Sequence, residues 1–174
     1  MGRFFSLVQI KNNGSREQFL KAFCDVMKKR SLVPCSEKES SVSYILAFSE
    51  SGKWVTLASK EYRDNPKQVK DDAKQTAAEM KTSSFSMDVV DSDWTYIELH
   101  VHDTVMVGRS EFDEEHSPKG RRECWEPILA PGKTWEQISE IWNKNEVFVE
   151  DALYEAASVL GIEPKYMVSD YEDF

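Results

Sequence analysis

The sequence is short of the features that place a protein in a membrane or in the secretory pathway. No run of apolar residues approaches the roughly 20 that a membrane-spanning helix needs. The apolar run within residues 4–10 is too short for a secretory signal, and no small-residue cleavage site follows it. We therefore expect a cytoplasmic protein that does not associate with membranes.

Cysteine is also scarce, and familiar catalytic motifs are absent. The three cysteines, Cys24, Cys35 and Cys124, are odd in number and share no metal-like spacing, which favours reduced thiols in a cytoplasm. The chain has no P-loop, no dinucleotide-binding glycine pattern, no nucleophile elbow and no zinc-finger spacing. No enzyme class is therefore indicated by a motif, and we expect no cofactor.

The chain has fewer basic than acidic residues, 22 Lys and Arg against 31 Asp and Glu. The net charge is −9, which argues against general binding to the phosphate backbone of nucleic acids. The imbalance is uneven: residues 1–81 hold 15 Lys and Arg against 10 Asp and Glu, whereas residues 82–174 hold 7 against 21. The two halves could attract each other, or the acidic half could present solvated helix faces or a surface for a basic partner.

The chain does contain enough apolar material for a compact domain. Of its 174 residues, 40% are hydrophobic and 11% are aromatic, so it can bury a core. Residues 84–109 alternate between apolar and polar with a period of two, which predicts consecutive antiparallel strands. The polar side of the middle strand carries Tyr96, Glu98, His100 and His102.

The remaining patterns predict an α+β fold. Strand patterns at 4–10, 42–48 and 54–59 are separated by two helix patterns, which start after Ser15 and Asn65. The resulting order, β-α-β-β-α-β-β-β, predicts one antiparallel sheet with both helices on one face. This order is related to ferredoxin-like topologies.

A helical extension is expected to follow the sheet. We place the α+β sheet domain at residues 1–110 and a loop and helical extension, packed on the same domain, at residues 111–174. Thr134 with Gln137 has the pattern of a capping box, and Gly161 is typical of a helix end. The residues of the last helix that are expected to point inward are Phe148, Ala152, Ala156, Val159 and Leu160.

The polar row of the middle strand predicts a metal site as one alternative. Side chains at positions i and i+2 of a strand leave on the same side, roughly 6.5–7 Å apart, so two imidazoles can converge on one ion. Glu98, His100 and His102 would then bind a divalent transition metal such as zinc in a small metal-dependent enzyme or metal-binding protein. A solvated or partner-facing sheet surface would carry the same residue types.

The leading hypothesis is instead a non-catalytic binding or regulatory module for a basic protein partner. Its predicted contact residues form an acidic, aromatic set: Trp94, Asp91, Asp93, Asp113, Glu114 and Glu115. Trp94 is the candidate for an exposed anchor, since tryptophan is favoured where a surface buries apolar area and keeps a hydrogen bond. A toxin-neutralising protein would fit this description, because acidic surfaces capture basic partners quickly.

Two further alternatives involve pockets and thiol chemistry. A small-ligand pocket between the sheet and the C-terminal helices could use Tyr96 and Trp94 to stack a ligand. Cys124 could act as a nucleophile with His116 as its base. The position of Cys124 beside Trp125 is explained more simply by the start of a buried helical turn. The sequence does not indicate an oligomeric state.

Overall fold

The computed structural model describes residues 2–100, 104–110, 122–144 and 148–174. Within them, six strands form one sheet: β1 (Phe5–Lys11), β2 (Tyr44–Phe48), β3 (Trp54–Ser59), β4 (Ser84–Val90), β5 (Trp94–His100) and β6 (Thr104–Ser110). The strands lie in the order β2-β3-β1-β4-β5-β6, and every neighbouring pair is antiparallel. The first strand of the chain therefore lies inside the sheet, while β2 and β6 lie at its edges.

Two long helices alternate with the strands, and shorter helices follow the sheet. They are α1 (Arg16–Lys29), α2 (Pro66–Met80), α3 (Arg122–Trp125), α4 (Trp135–Asn143), α5 (Val149–Leu160) and α6 (Lys165–Val168). The predicted capping box begins α1: the Ser15 hydroxyl accepts from the Gln18 amide, and the Gln18 side chain accepts from the Ser15 amide. The α+β class with C-terminal helices is confirmed, whereas the relation to ferredoxin-like topologies stays a prediction.

Each face of the sheet has its own core, because alternate residues of a strand point to opposite faces. On one face, Val8 and Ile10 of β1 pack against α1 and α2. On the other face, Phe5 and Leu7 of the same strand pack against the C-terminal helices. The prediction that both long helices share one face is confirmed, and the sheet is the middle of three layers.

Hydrogen bonds also tie the C-terminal helices to the sheet. The Gln9 side-chain amide donates to the Tyr166 carbonyl at 2.6 Å, and the Trp54 indole donates to the Leu160 carbonyl at 3.0 Å. Both polar groups are buried, so these bonds satisfy donors that would otherwise be desolvated without a partner. The sheet and the C-terminal segment thus share one core, while the division at residue 110 stays a prediction.

A buried carboxylate joins α1 to α2. Asp72 of α2 is fully buried and accepts hydrogen bonds from the Tyr62 hydroxyl at 2.8 Å, the Gln68 amide at 2.6 Å and the Arg30 guanidinium. Burial, and secondly the charge of Asp72, raise the pKa of Tyr62, so the phenol keeps the proton that it donates. This network holds α2 in place over the sheet.

The helices are too short or too polar for a membrane span: across the described ranges, none is both long and apolar enough to cross a bilayer.

Candidate functional site

The candidate site is organised by the tight turn between β4 and β5. Asp91 and Ser92 adopt left-handed backbone conformations, with φ of 52° and 61°. They are the two central residues of a four-residue turn that the Asp93 amide closes by donating to the Val90 carbonyl at 3.3 Å. Turns with positive φ at both central positions favour Asn, Asp or Gly there. Other residues cost roughly 1–2 kcal/mol in this conformation. Contacts made by their side chains compensate for that strain.

Ser92 holds the turn between the N-terminal segment and α5. Its hydroxyl accepts from the Arg3 amide at 2.7 Å and donates to Glu150 Oε1 at 2.6 Å. The Ser92 amide donates to the Arg3 carbonyl at 3.1 Å, and its carbonyl accepts from the Val149 amide at 2.9 Å. Three distant segments of the chain therefore meet at one buried serine.

Gly2 passes very close to the same turn. Its amide donates to Asp91 Oδ1 at 2.9 Å. A Cβ on Gly2 would lie 2.0 Å from the Asp91 carbonyl oxygen, which is closer than real Cβ contacts allow. The N-terminal backbone therefore packs on the turn only because this residue has no side chain.

An open cleft of about 710 Å³ lies beside the turn, on the side of the C-terminal helices. We define the acidic cleft by six of its lining residues: Asp91, Asp93, Phe148, Glu150, Asp151 and Tyr154. The basic residue at its edge, Arg3, already donates to the Val168 carbonyl at 2.7 Å and to the Asp173 carboxylate at 2.5 Å. Four acidic residues thus line the cleft, and the Arg3 guanidinium at its edge is already bonded to Val168 and Asp173.

Two aromatic side chains of the acidic cleft are more than half exposed, Phe148 at 52% and Tyr154 at 57%. The prediction that Phe148 points inward is wrong. It precedes the first turn of α5 and has extended backbone angles, φ −117° and ψ 135°. Its side chain therefore does not follow the helical spacing that buries Ala152 and Ala156.

The acidic cleft contains part of the predicted partner-binding set. Asp91 and Asp93 both line it. Trp94 does not, since its strand position places it on the opposite face of the sheet. The other three predicted residues, Asp113, Glu114 and Glu115, lie outside the described residues.

A second recess, of about 330 Å³, lies on the α2 side of the sheet. We define the α2 recess by six of its lining residues: Phe4, Arg63, Lys70, Asp88, Trp94 and Tyr96. The Trp94 and Tyr96 rings stack, with centroids 5.5 Å apart and planes 25° apart. A pocket between the sheet and the C-terminal helices was expected for these rings, and that placement is wrong, because even-numbered residues of β5 face α2.

Asp88 is the buried polar group of the α2 recess. Only 8% of this residue is exposed, and its Oδ1 atom has no hydrogen-bond partner among the described residues. It lies directly across from Tyr96 in the β4–β5 register. Burial raises the pKa of Asp88, and hydrogen bonding from Ser6 opposes that shift.

The predicted metal ligands are only partly described. Glu98 Oε1 lies 3.6 Å from His100 Nε2, and Glu98 Oε2 lies 3.2 Å from Lys70 Nζ. Burial lowers the pKa of His100, which favours the neutral imidazole. His102 is outside the described residues, and the residues that are described contain no group of three His, Cys, Asp or Glu that could hold a metal. Zinc binding here stays a prediction.

The thiols of the described chain are all free. Cys124 is 2% exposed and lies in the core beside Trp125, as the buried-turn interpretation predicted. Its proposed base, His116, lies outside the described residues. The sulfur is therefore enclosed by the core and has little access to a substrate.

Several cleft and recess residues were not predicted from the sequence. Glu150 and Asp151 occupy the first turn of α5, where acidic residues are expected for helix stability alone. Arg63 lies before α2 and belongs to no recognisable sequence motif. Comparison of the chain with protein-family models, with curated proteins and with solved structures found no match.

Proposed function

We propose that the protein is a non-catalytic binding module that takes a basic segment of a protein partner into the acidic cleft. The observation that carries the proposal is the position of two exposed rings, Phe148 and Tyr154, beside four carboxylates. Exposed aromatic groups surrounded by polar residues are typical of interaction sites. The acidic side chains of the cleft favour a partner segment rich in Lys and Arg.

The charge of the acidic cleft supports a basic partner. Arg3 does not neutralise it, because the Arg3 guanidinium is bonded to Val168 and Asp173. Asp93 and Asp151 make no ion pair within the described residues. Negative charge concentrated in a cleft raises the association rate of cationic partners.

The two rings supply the apolar part of the contact. Lys and Arg have long aliphatic stems that pack on aromatic faces while their charged ends reach carboxylates. A guanidinium over a Tyr or Phe ring adds a cation–π attraction. Phe148 and Tyr154 therefore suit the same side chains that the carboxylates attract.

The turn gives the acidic cleft a preformed shape. Ser92 is 5% exposed and is bonded to Arg3, Glu150 and Val149. A surface that is already ordered loses less conformational entropy on binding. This supports a regulatory or toxin-neutralising role, in which a small acidic protein covers a basic surface. The three free thiols support placing that role in a reducing cytoplasm.

The proposal can be tested with an oligo-arginine peptide as the probe. Fluorescence anisotropy of the labelled peptide should show saturable binding that weakens as salt is added. The double variant Asp93→Asn/Asp151→Asn should weaken binding at least tenfold. The matched control Glu123→Gln/Glu140→Gln removes two exposed acids that do not line the cleft, and its affinity should change less than twofold.

A second pair of variants tests the aromatic part. Phe148→Ser/Tyr154→Ser should weaken peptide binding about tenfold, the loss expected for hot-spot rings. Val33→Ser is the control, since Val33 is 74% exposed and lies outside the acidic cleft. Equal affinities for the cleft variants and their controls would refute the proposal.

A further inference from the structure

The α2 recess differs from the acidic cleft in both shape and charge. It lies against the basic first half of the chain, and its charged walls carry Arg63 and Lys70 as well as Asp88. Cavities of about this size, mostly apolar with a few convergent polar groups, commonly hold small molecules. The α2 recess therefore has the size and lining of a small-molecule site.

One side of the α2 recess is an aromatic stack. Trp94 and Tyr96 are each half-buried and their rings are stacked. The Lys70 ammonium lies 4.2 Å from the centroid of the Tyr96 ring, so a cation already contacts this ring. Trp94, the other ring of the stack, lines the recess. A planar ring is the ligand group that would extend such a stack.

Asp88 requires a donor from the ligand. It is a nine-tenths buried carboxylate with one oxygen unpartnered within the described residues. Lys70, a basic side chain that lines the recess, forms its ion pair with Glu98, at 3.2 Å. A buried acceptor without a partner is unfavourable. An N–H group of a bound ligand would satisfy it once the carboxylate turns toward the recess, because Oδ1 itself has almost no accessible surface.

Arg63 provides an anion-binding group at the rim. It is exposed and forms no ion pair within the described residues. The amino-terminal end of α2 begins at Pro66, which also lines the recess and adds the positive end of a helix dipole. An anionic group on the ligand would therefore lie near Arg63.

We propose that the α2 recess binds a planar heteroaromatic ring that carries an amino group and an anionic substituent, the chemistry of a purine nucleotide. The ring stacks on Trp94, the amino group donates to Asp88, and the anionic group pairs with Arg63. The proposal does not depend on the acidic cleft, which lies on the opposite face of the sheet.

The test uses adenosine monophosphate as the probe, with backbone and indole NMR signals as the readout. Saturable shifts are expected at Asp88, Arg63 and the Trp94 indole. Adenosine, which lacks the anion, and purine riboside monophosphate, which lacks the amino group and has no other N–H on its ring, should each bind about tenfold more weakly. Ribose 5-phosphate, which lacks the ring, should produce no saturable shift at Trp94.

Two variants identify the contacts. Arg63→Gln should weaken adenosine monophosphate binding about tenfold and leave adenosine binding unchanged, while Lys67→Gln, an exposed cation on the first turn of α2 that does not line the recess, should change neither. Asp88→Asn should reduce the preference for adenosine monophosphate over purine riboside monophosphate. Absence of saturable binding by either monophosphate, shifts confined to the acidic cleft, or equal effects of Arg63→Gln and Lys67→Gln would overturn the proposal.

Discussion

Lys70 of α2 and Glu98 of β5 form an ion pair, with Nζ 3.2 Å from Oε2. The Glu98 side chain is only 13% exposed, so this pair compensates a largely buried carboxylate. Glu98 is also a neighbour of His100, whose pKa is lowered by burial and whose charged form is opposed by Lys74 and Lys70. The pair therefore affects both the stability of the α2–β5 contact and the protonation of the histidine.

Replacing Lys70 should change both properties. Lys70→Gln leaves Glu98 without its cation and is expected to reduce the free energy of unfolding by about 1 kcal/mol. The same change should raise the pKa of His100, since one nearby cation is lost and Glu98 is freed. Denaturant unfolding and an NMR titration of the imidazole measure the two effects.

Lys74→Gln is the matched control for this prediction. Lys74 is an exposed cation on the same helix that also lowers the pKa of His100, but within the described residues it has no ion pair. This variant should raise the pKa of His100 and leave the unfolding free energy nearly unchanged. A loss of stability as large as that of Lys70→Gln would show that the Lys70–Glu98 contact is not the cause.

Asp88 should make the stability of the protein depend on pH. Burial raises the pKa of Asp88 above the ordinary 3.8, so the folded state holds the proton to a higher pH than the unfolded state does. Stability from this group is fully present below pH 3.8 and is lost as the pH rises through the folded pKa. Asp88→Asn removes the ionisation.

The measurement is the difference in unfolding free energy between wild type and Asp88→Asn across that pH range. Groups common to both proteins cancel in this difference. The variant should gain stability relative to wild type as the pH rises from 3 to neutral. A difference that is constant, or that changes in the opposite direction, would contradict the assignment of Asp88 as a desolvated carboxylate.

Two substitutions of Ser92 distinguish the energetic cost of its left-handed backbone from the contribution of its hydrogen bonds. Ser92→Ala loses the two bonds of the hydroxyl, to Arg3 and Glu150, and keeps the left-handed backbone at φ 61°. We expect it to lower the unfolding free energy by about 2 kcal/mol. Ser92→Gly loses the same bonds and relieves the strain.

Ser92→Gly should therefore be more stable than Ser92→Ala by about 1 kcal/mol. Thermal or denaturant unfolding of the two variants tests the order. If alanine proved equal to or better than glycine at this position, the left-handed conformation would not be a source of strain.

The sheet could be predicted because its signals are local. The alternation in β4 and β5 places Phe85 and Met87 on one face and Ser86 on the other, and the structure has the same parity. The capping box at Ser15 likewise depends on residues three apart. The sequence carried no comparable signal for which layer covers each face, so the environment of Trp94 and Tyr96 was predicted wrongly.

Fewer residues of the two candidate sites could be predicted, because local sequence patterns do not specify which residues line a cleft. The sequence predicts Asp91 and Asp93 as partner-binding residues because they form an acidic break beside a strand. Phe148 was predicted to be buried, because its spacing from Ala152 matches a helix that in fact begins one residue later. The exposure of Tyr154 could not be predicted, because an exposed aromatic residue on a helix has no distinctive spacing.

The sequence by itself determined the class of the fold, the order of its strands and helices along the chain, and the acidity of its second half. These follow from periodicity, capping and composition, which act over a few residues or over the whole chain. Only the tertiary structure decided that Asp91 and Asp93 share a cleft with Glu150 and Asp151, and that Arg63 shares a recess with Asp88 and Trp94. Such groupings arise from contacts between distant segments, as between Ser92 and Glu150, 58 residues apart. The packing of the helices on the sheet sets these contacts, and no local pattern specifies them.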